Sequence, residues 1–291
     1  MKETGMWLII ASACGFGLNP MLAQLLYGLG FDFQVVTLYR FLIPAVLLLP
    51  MLRIKSVELG EAGRMFAFGV ANALAMLAYF NAIQTIEPAQ AIFVYYTYPI
   101  FSLLVGWMVW GKKPRRNGVV AGALILLAAS MVLAPGQLAA EHYWVLASTF
   151  FAPLVVASLI QYLAKPKQSL AATQRINMSL LGHMLVLLPV VIWHGPELWL
   201  PVTWQGGVWL IALAVFASTL PQYLMTLGVA KVGSDRTAIA GSAEMVVAMI
   251  TGTLVFGHAL NQAQITAMLL VVIAMSIRLE DSPAWSRQVK A

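Results

Sequence analysis

Residues 98–118 read YPIFSLLVGWMVWGKKPRRNG. The uncharged run from Tyr98 to Trp110 stops abruptly against Lys112, Lys113, Arg115 and Arg116, with Trp107 and Trp110 just before the change. An apolar helix that ends in interfacial aromatics and then a knot of cations marks a segment leaving a bilayer on its cytoplasmic side. Extended backward, the run reaches Ala89, and Ala89 to Trp110 has the length of about 17 to 25 residues that crosses a hydrocarbon core. Comparable spans run from Met6 to Tyr27, Phe33 to Leu52, Met65 to Ile83, Gly118 to Ala134, Tyr143 to Leu163, Ile176 to His194, Gly207 to Val229, Ala238 to Phe256 and Ala263 to Ile277.

All Lys and Arg except Arg40 fall in alternate gaps between these spans. One side holds Lys2, Arg53, Lys55, Arg64, Lys112, Lys113, Arg115, Arg116, Lys165, Lys167, Arg175, Lys231, Arg236, Arg278, Arg287 and Lys290; the other holds only Asp32, Glu87, Glu141 and Glu197 as charges. The positive-inside rule therefore puts both termini in the cytoplasm of a multi-pass inner-membrane protein. Trp7, Trp107, Trp110 and Trp285 mark the inner boundary, and Trp144, Trp193, Trp199, Trp204 and Trp209 the outer one.

Composition agrees, at 61% hydrophobic and 10% charged residues, far from the soluble average. The net charge of +6 sits on short loops facing anionic lipid, which argues for membrane lipid as a partner and against nucleic acid. The loops leave no room for a soluble domain, so there is no built-in ATPase and no ATPase partner is implied. Gly106, Gly111 and Lys112 imitate the start of a nucleotide-binding loop, but Lys113 replaces the magnesium-holding hydroxyl and the segment is an apolar helix. A single Cys14 excludes an internal disulfide and a cysteine zinc cluster; Ala11 to Cys14 is read as part of a retained first span, not a cleavage site. The histidines lack metal-ligand spacing, and His183 and His258 are read as packing residues. No cofactor is implied, and the chain is not expected to be an enzyme.

The halves repeat. Trp7 to Gln24 is spaced like Trp144 to Gln161, and Tyr98-Pro99 through Gly106 to Gly111 superposes on Glu244-Met245 through Gly252 to Gly257. Spans one to five match six to ten, and because five is odd the second copy enters from the opposite side, as in many secondary transporters. The expectation is an all-α integral membrane protein of ten transmembrane helices: a five-helix repeat over 1–137, an inverted repeat over 138–279 and a cytoplasmic tail over 280–291, around a central cavity.

The chain resembles the drug/metabolite transporter superfamily of the EamA type, on Tyr39-Arg40-Phe41-Leu42, Tyr79, Glu87-Pro88-Ala89, Tyr98-Pro99, Gly111 before Gly118, and Ala243-Glu244 with Gly257. Lys112 and His258 depart from it where an acidic residue is usual, as does Met245 in place of a proline. Within the superfamily it looks most like the YddG-type amino-acid exporters. The resemblance implies a cavity lined mainly by spans three, four, eight and nine.

Helical spacing places polar and small residues on one stripe of each of these spans. Span three offers Asn72, Met76 and Tyr79; span four Ala91, Tyr95, Tyr98, Ser102 and Gly106; span eight Ser218, Thr219, Gln222 and Tyr223; span nine Gly241, Ser242, Glu244 and Thr251. Either they line a pocket or they let helices pack closely. Mid-depth phenols need partners that lipid does not offer, so Tyr79, Tyr95, Tyr98, Asn72, Ser218, Gln222, Ser242 and Glu244 are the candidate substrate-binding residues. Pro20, Pro99 and Pro221 are candidate bends or gates, and Asn19-Pro20 is read as a kink more than a contact. Arg40 and Glu244 each cost about 2.5 to 3.5 kcal/mol at a helix centre and lie roughly 10 Å apart in depth at about 1.5 Å per residue, which disfavours a direct bond. Arg40 is either a packing anchor on helix carbonyls or a site for a carboxylate. Glu244 binds an amino group, carries a proton, or snorkels to the cytoplasmic water.

The resulting expectation is a secondary transporter that exports small organic metabolites, from the resemblance amino acids with aromatic or hydrophobic side chains, by alternating access. The alternatives are broad efflux of cationic drugs, import, an ion channel or an intramembrane lipid-modifying enzyme.

Overall fold

The computed structural model describes residues 2–86, 88–132, 142–165, 168–194, 203–257 and 260–277. Glu87, the 137/138 boundary, Glu141, Lys167, Glu197, Trp199, His258, Arg278 and the 280–291 tail with Trp285, Arg287 and Lys290 lie outside the described residues. Span one is the pair α1 (Lys2–Gly17) and α2 (Asn19–Gly28), span two α3 (Phe33–Leu48), span three α4 (Leu59–Thr85), span four the pair α5 (Pro88–Tyr95) and α6 (Tyr98–Trp110), and span five α7 (Arg116–Val132). Span six is α8 (Tyr143–Thr149) with α9 (Phe151–Leu163), span seven α10 (Ala172–His194), span eight α11 (Trp204–Ala214) with α12 (Leu220–Val232), span nine α13 (Ser234–Gly241) with α14 (Ala243–Phe256), and span ten α15 (Gln262–Ser276).

No strand occurs among the described residues. Eight helical stretches have the length and apolarity to cross a membrane, and α7 and α15 are shorter apolar helices. Large apolar side chains face outward, among them Trp193, Trp144, Met108 and Leu254, as befits a lipid-facing shell.

The breaks have a common local cause. Proline has no N–H to donate and its ring clashes one turn back, and Pro20, Pro99, Pro153 and Pro221 each stand just after an interruption of their span. Span nine breaks at Ser242 without a proline, at the position that matches Tyr96 in the repeat register. The register holds at the far end as well: α6 and α14 both stop at a left-handed glycine, Gly111 (φ 65°) and Gly257 (φ 69°), a conformation that a β-carbon disfavours.

Two helices from different halves, α4 and α10, are zipped together. A β-carbon on Gly69 would lie 2.0 Å from the Ser179 carbonyl oxygen, and one on Gly182 would lie 2.2 Å from that of Phe66. Lipid gives helices no hydrophobic drive to associate, so this backbone-to-backbone approach supplies the dispersion contact instead. At the cation-rich end Glu61 latches the same pair. Its Oε2 accepts from Ser169 N (2.7 Å), Ser169 Oγ (2.7 Å) and Leu170 N (3.2 Å), and its Oε1 accepts from Arg175 Nε at 3.0 Å. Nearby, Lys112 Nζ donates to Gln161 Oε1 (3.4 Å), Gln161 Nε2 donates to the Ser102 carbonyl (2.6 Å) and Arg64 Nε donates to Tyr162 Oη (3.0 Å). Lys165 lies over the Trp110 ring, its Nζ 5.3 Å from the centroid. The Lys112 and Lys165 loops therefore share one end of the bundle, as the charge pattern requires.

Candidate functional site

Spans one to four and six to nine enclose a cavity of about 670 Å3. Of the candidates from the sequence, Asn72, Tyr79, Tyr95, Tyr98, Ser218, Gln222, Glu244, Arg40 and Pro20 line it. Ser242, Pro99 and Pro221 do not. Ser242 is fully buried behind the wall, where its Oγ donates to the Ala238 carbonyl of its own span at 3.4 Å. Pro99 and Pro221 open the first turns of α6 and α12, a position where the missing N–H costs little. The lower halves of the span-four and span-nine stripes are packing too: Ser102 is buried against Gln161, and Thr251 donates back to its own helix at Val247.

The aromatic wall centres on Tyr95. Its ring centroid is 5.8 Å from that of Tyr79, 5.8 Å from Tyr96 and 5.9 Å from Tyr98, distances within the range of favourable aromatic pairing. Tyr98 reaches deep because Gly241 leaves it space; a β-carbon there would be 2.7 Å from the Tyr98 hydroxyl.

Spans one, two, six and seven also contribute, beyond the expected set of three, four, eight and nine. Asn19, Gln24 and Tyr27 join the lining, as do Thr37, Tyr96 and His183. The signal was present in span one, where Ser12, Phe16, Asn19, Ala23 and Tyr27 recur at helical spacing, but the stripe is half apolar and reads as packing. Asn19 is more than a kink. Pro221 cannot donate to the Ala217 carbonyl four residues back, and Asn19 Nδ2 donates to it instead at 3.2 Å, while Ser12 Oγ donates to the Pro221 carbonyl at 2.7 Å. A π-helical turn over Val215–Thr219 precedes that proline. Span one thus supplies the bonds that span eight lacks, as depth in a membrane demands.

His183 is buried, as expected of a packing residue, yet it stands on the cavity wall. Its ring stacks on Phe41 with centroids 4.1 Å apart. Its Nδ1 lies 2.7 Å from the Ser179 carbonyl, which only accepts, so the proton is assigned to Nδ1 and Nε2 accepts from Asn72 Nδ2 at 3.3 Å. That bond orients the Asn72 amide.

Arg40 and Glu244 occupy the same cavity, within electrostatic reach of one another. The anchoring of Arg40 on helix carbonyls is absent among the described residues; Arg40 Nε and Glu244 Oε1 are both buried without a hydrogen-bond partner. The guanidinium rests instead beside the Phe41 ring, 5.3 Å from its centroid. Among the described residues no three His, Cys, Asp or Glu side chains converge as metal ligands do.

A shell of membrane-length helices in two matching halves, around a largely apolar pocket that holds a few polar and ionisable side chains, fits a membrane transporter of small molecules. The chain belongs to the EamA-like transporter family, whose sequence pattern matches residues 3–134 and again 142–278. A crystal structure of a protein 14% identical in sequence superposes with a TM-score of 0.76, over 95% of this chain and 96% of its own, and so shares the fold. No functionally curated protein matches the chain.

Proposed function

We propose that the protein is a secondary transporter of the inner membrane that exports amino acids with aromatic or other apolar side chains by alternating access. The observation that carries this reading is that one cavity holds a basic and an acidic side chain, Arg40 and Glu244, each with a buried polar atom left unbonded. Unpaired buried charges are costly unless a ligand completes them. A zwitterion does so at both ends, its carboxylate to Arg40 and its ammonium to Glu244, while Tyr79, Tyr95 and Tyr98 offer aromatic faces to the side chain. A volume of about 670 Å3 lies within the usual size of small-molecule pockets. The cavity reaches Gln24 and Tyr27 at the cation-poor end, while Glu61 ties α4 to α10 at the cation-rich end, an arrangement that suits one of two alternating openings.

Competition for uptake of labelled phenylalanine into vesicles containing only the purified protein tests the proposal. Phenylalanine and leucine are expected to compete, and phenethylamine and phenylpropionate, which each lack one charge, to compete at least tenfold more weakly. Competition by the amine equal to that of the amino acid would replace this reading with cation efflux, which Glu244 and the tyrosine faces also suit.

A further inference from the structure

A second cavity, of about 540 Å3, lies on the outside of the bundle between α6 and α7. Ile100, Leu103 and Leu104 form one wall and Val119, Ala123 and Leu126 the other. Its one polar side chain among the described residues, Ser130, is already committed to the Leu127 carbonyl at 2.7 Å. α7 turns its buried face toward α15, through Ala121, Ile125 and Ala274, and approaches α6 at Gly122, where a β-carbon would stand 3.3 Å from Ile100.

The groove ends on Pro114, in the middle of Lys112-Lys113-Pro114-Arg115-Arg116. These four cations are not equivalent. Lys112 is buried and committed to Gln161, and Arg115 has a partner of its own. Lys113 and Arg116 are exposed and have no carboxylate partner among the described residues. A dry apolar channel whose mouth carries two uncommitted cations is complementary to a molecule with a hydrocarbon tail and an anionic head. We propose that this groove holds an acyl chain of an anionic phospholipid, with its phosphate on Lys113 and Arg116. A neutral lipid would fill the channel but leave the cations unused. The bound lipid would brace α6, the helix that carries Tyr98 into the substrate cavity, and the proposal is independent of what that cavity transports.

The test is native mass spectrometry of the full-length protein titrated with phosphatidylglycerol or phosphatidylcholine of identical chains. One phosphatidylglycerol is expected to be retained about 30-fold more tightly, the sum of two juxtamembrane cations. K113Q with R116Q should erase that preference, whereas R53Q with K55Q, which removes two exposed cations from a different loop of the same face, should leave it intact. A123F, which fills the groove from an exposed position, should weaken both lipids. Equal binding of the two lipids by the parent protein, or an equal loss in the 53/55 control, overturns the proposal. So does a species containing two chains that A123F dissociates, because the groove is then an interface between copies.

Discussion

Glu61→Ala tests whether the latch at the cation-rich end holds that end of the cavity shut. The substitution deletes the acceptor of four hydrogen bonds, from Ser169 N, Ser169 Oγ, Leu170 N and Arg175 Nε, and leaves the Arg175 guanidinium without its carboxylate, held only by the Leu170 carbonyl. Breaking a buried pair from one side costs about 3 to 5 kcal/mol. The side chains retain 11% and 7% exposure, so the lower end of that range applies, and about 3 kcal/mol is on the order of a 100-fold change in the balance of closed to open forms. The readout is thiol labelling of a Met225→Cys probe on the cavity wall, in a Cys14→Ser background, with a membrane-impermeant reagent added from either side of oriented vesicles. With Glu61 intact, labelling is expected from the cation-poor side; in the Glu61→Ala variant, the rate from the cation-rich side should rise at least tenfold. An unchanged rate from that side, in protein that still elutes as a folded monodisperse species, would refute the assignment of Glu61 as the latch.

Arg40→Gln should raise the KM for amino acids at least tenfold while sparing competition by phenethylamine, and Glu244→Gln should do the converse with phenylpropionate; kinetics in vesicles separates the two. Tyr98→Phe keeps the ring and loses only the hydroxyl, so it should alter substrate choice by less than Gln222→Ala, which empties part of the lining. Asn19→Ala leaves the Ala217 carbonyl unsatisfied and should lower stability by about 1 to 3 kcal/mol, seen as an earlier thermal transition in detergent. Gly182→Ala forces α4 and α10 apart, and overpacking of this kind costs about 1 to 3 kcal/mol or more; the same thermal assay should show the largest loss in the series.

The alternation of cations with apolar spans was enough to mark the apolar segments and to put the Lys112 and Lys165 loops at one end, because hydrophobic length and juxtamembrane charge are local properties of the chain. The repeat was legible for the same reason: Gly111 and Gly257 terminate helices through their own backbone freedom. The tyrosines, Gln222 and Glu244 could be singled out because polar groups in apolar spans are conspicuous. Other features depend on which helices meet. Glu61 looked like an ordinary interfacial acid until Ser169, Leu170 and Arg175 closed around it. Asn19 became a ligand for a carbonyl only because Pro221 lies opposite, and Ser242 is buried behind the wall at a break that no proline announces. Arg40 and Glu244 were assigned separate depths with no direct bond between them; that both open into one cavity depends on how spans two and nine pack. Charge and apolarity along the chain set which segments cross the bilayer; the complementarity of surfaces distant in sequence set what those segments enclose.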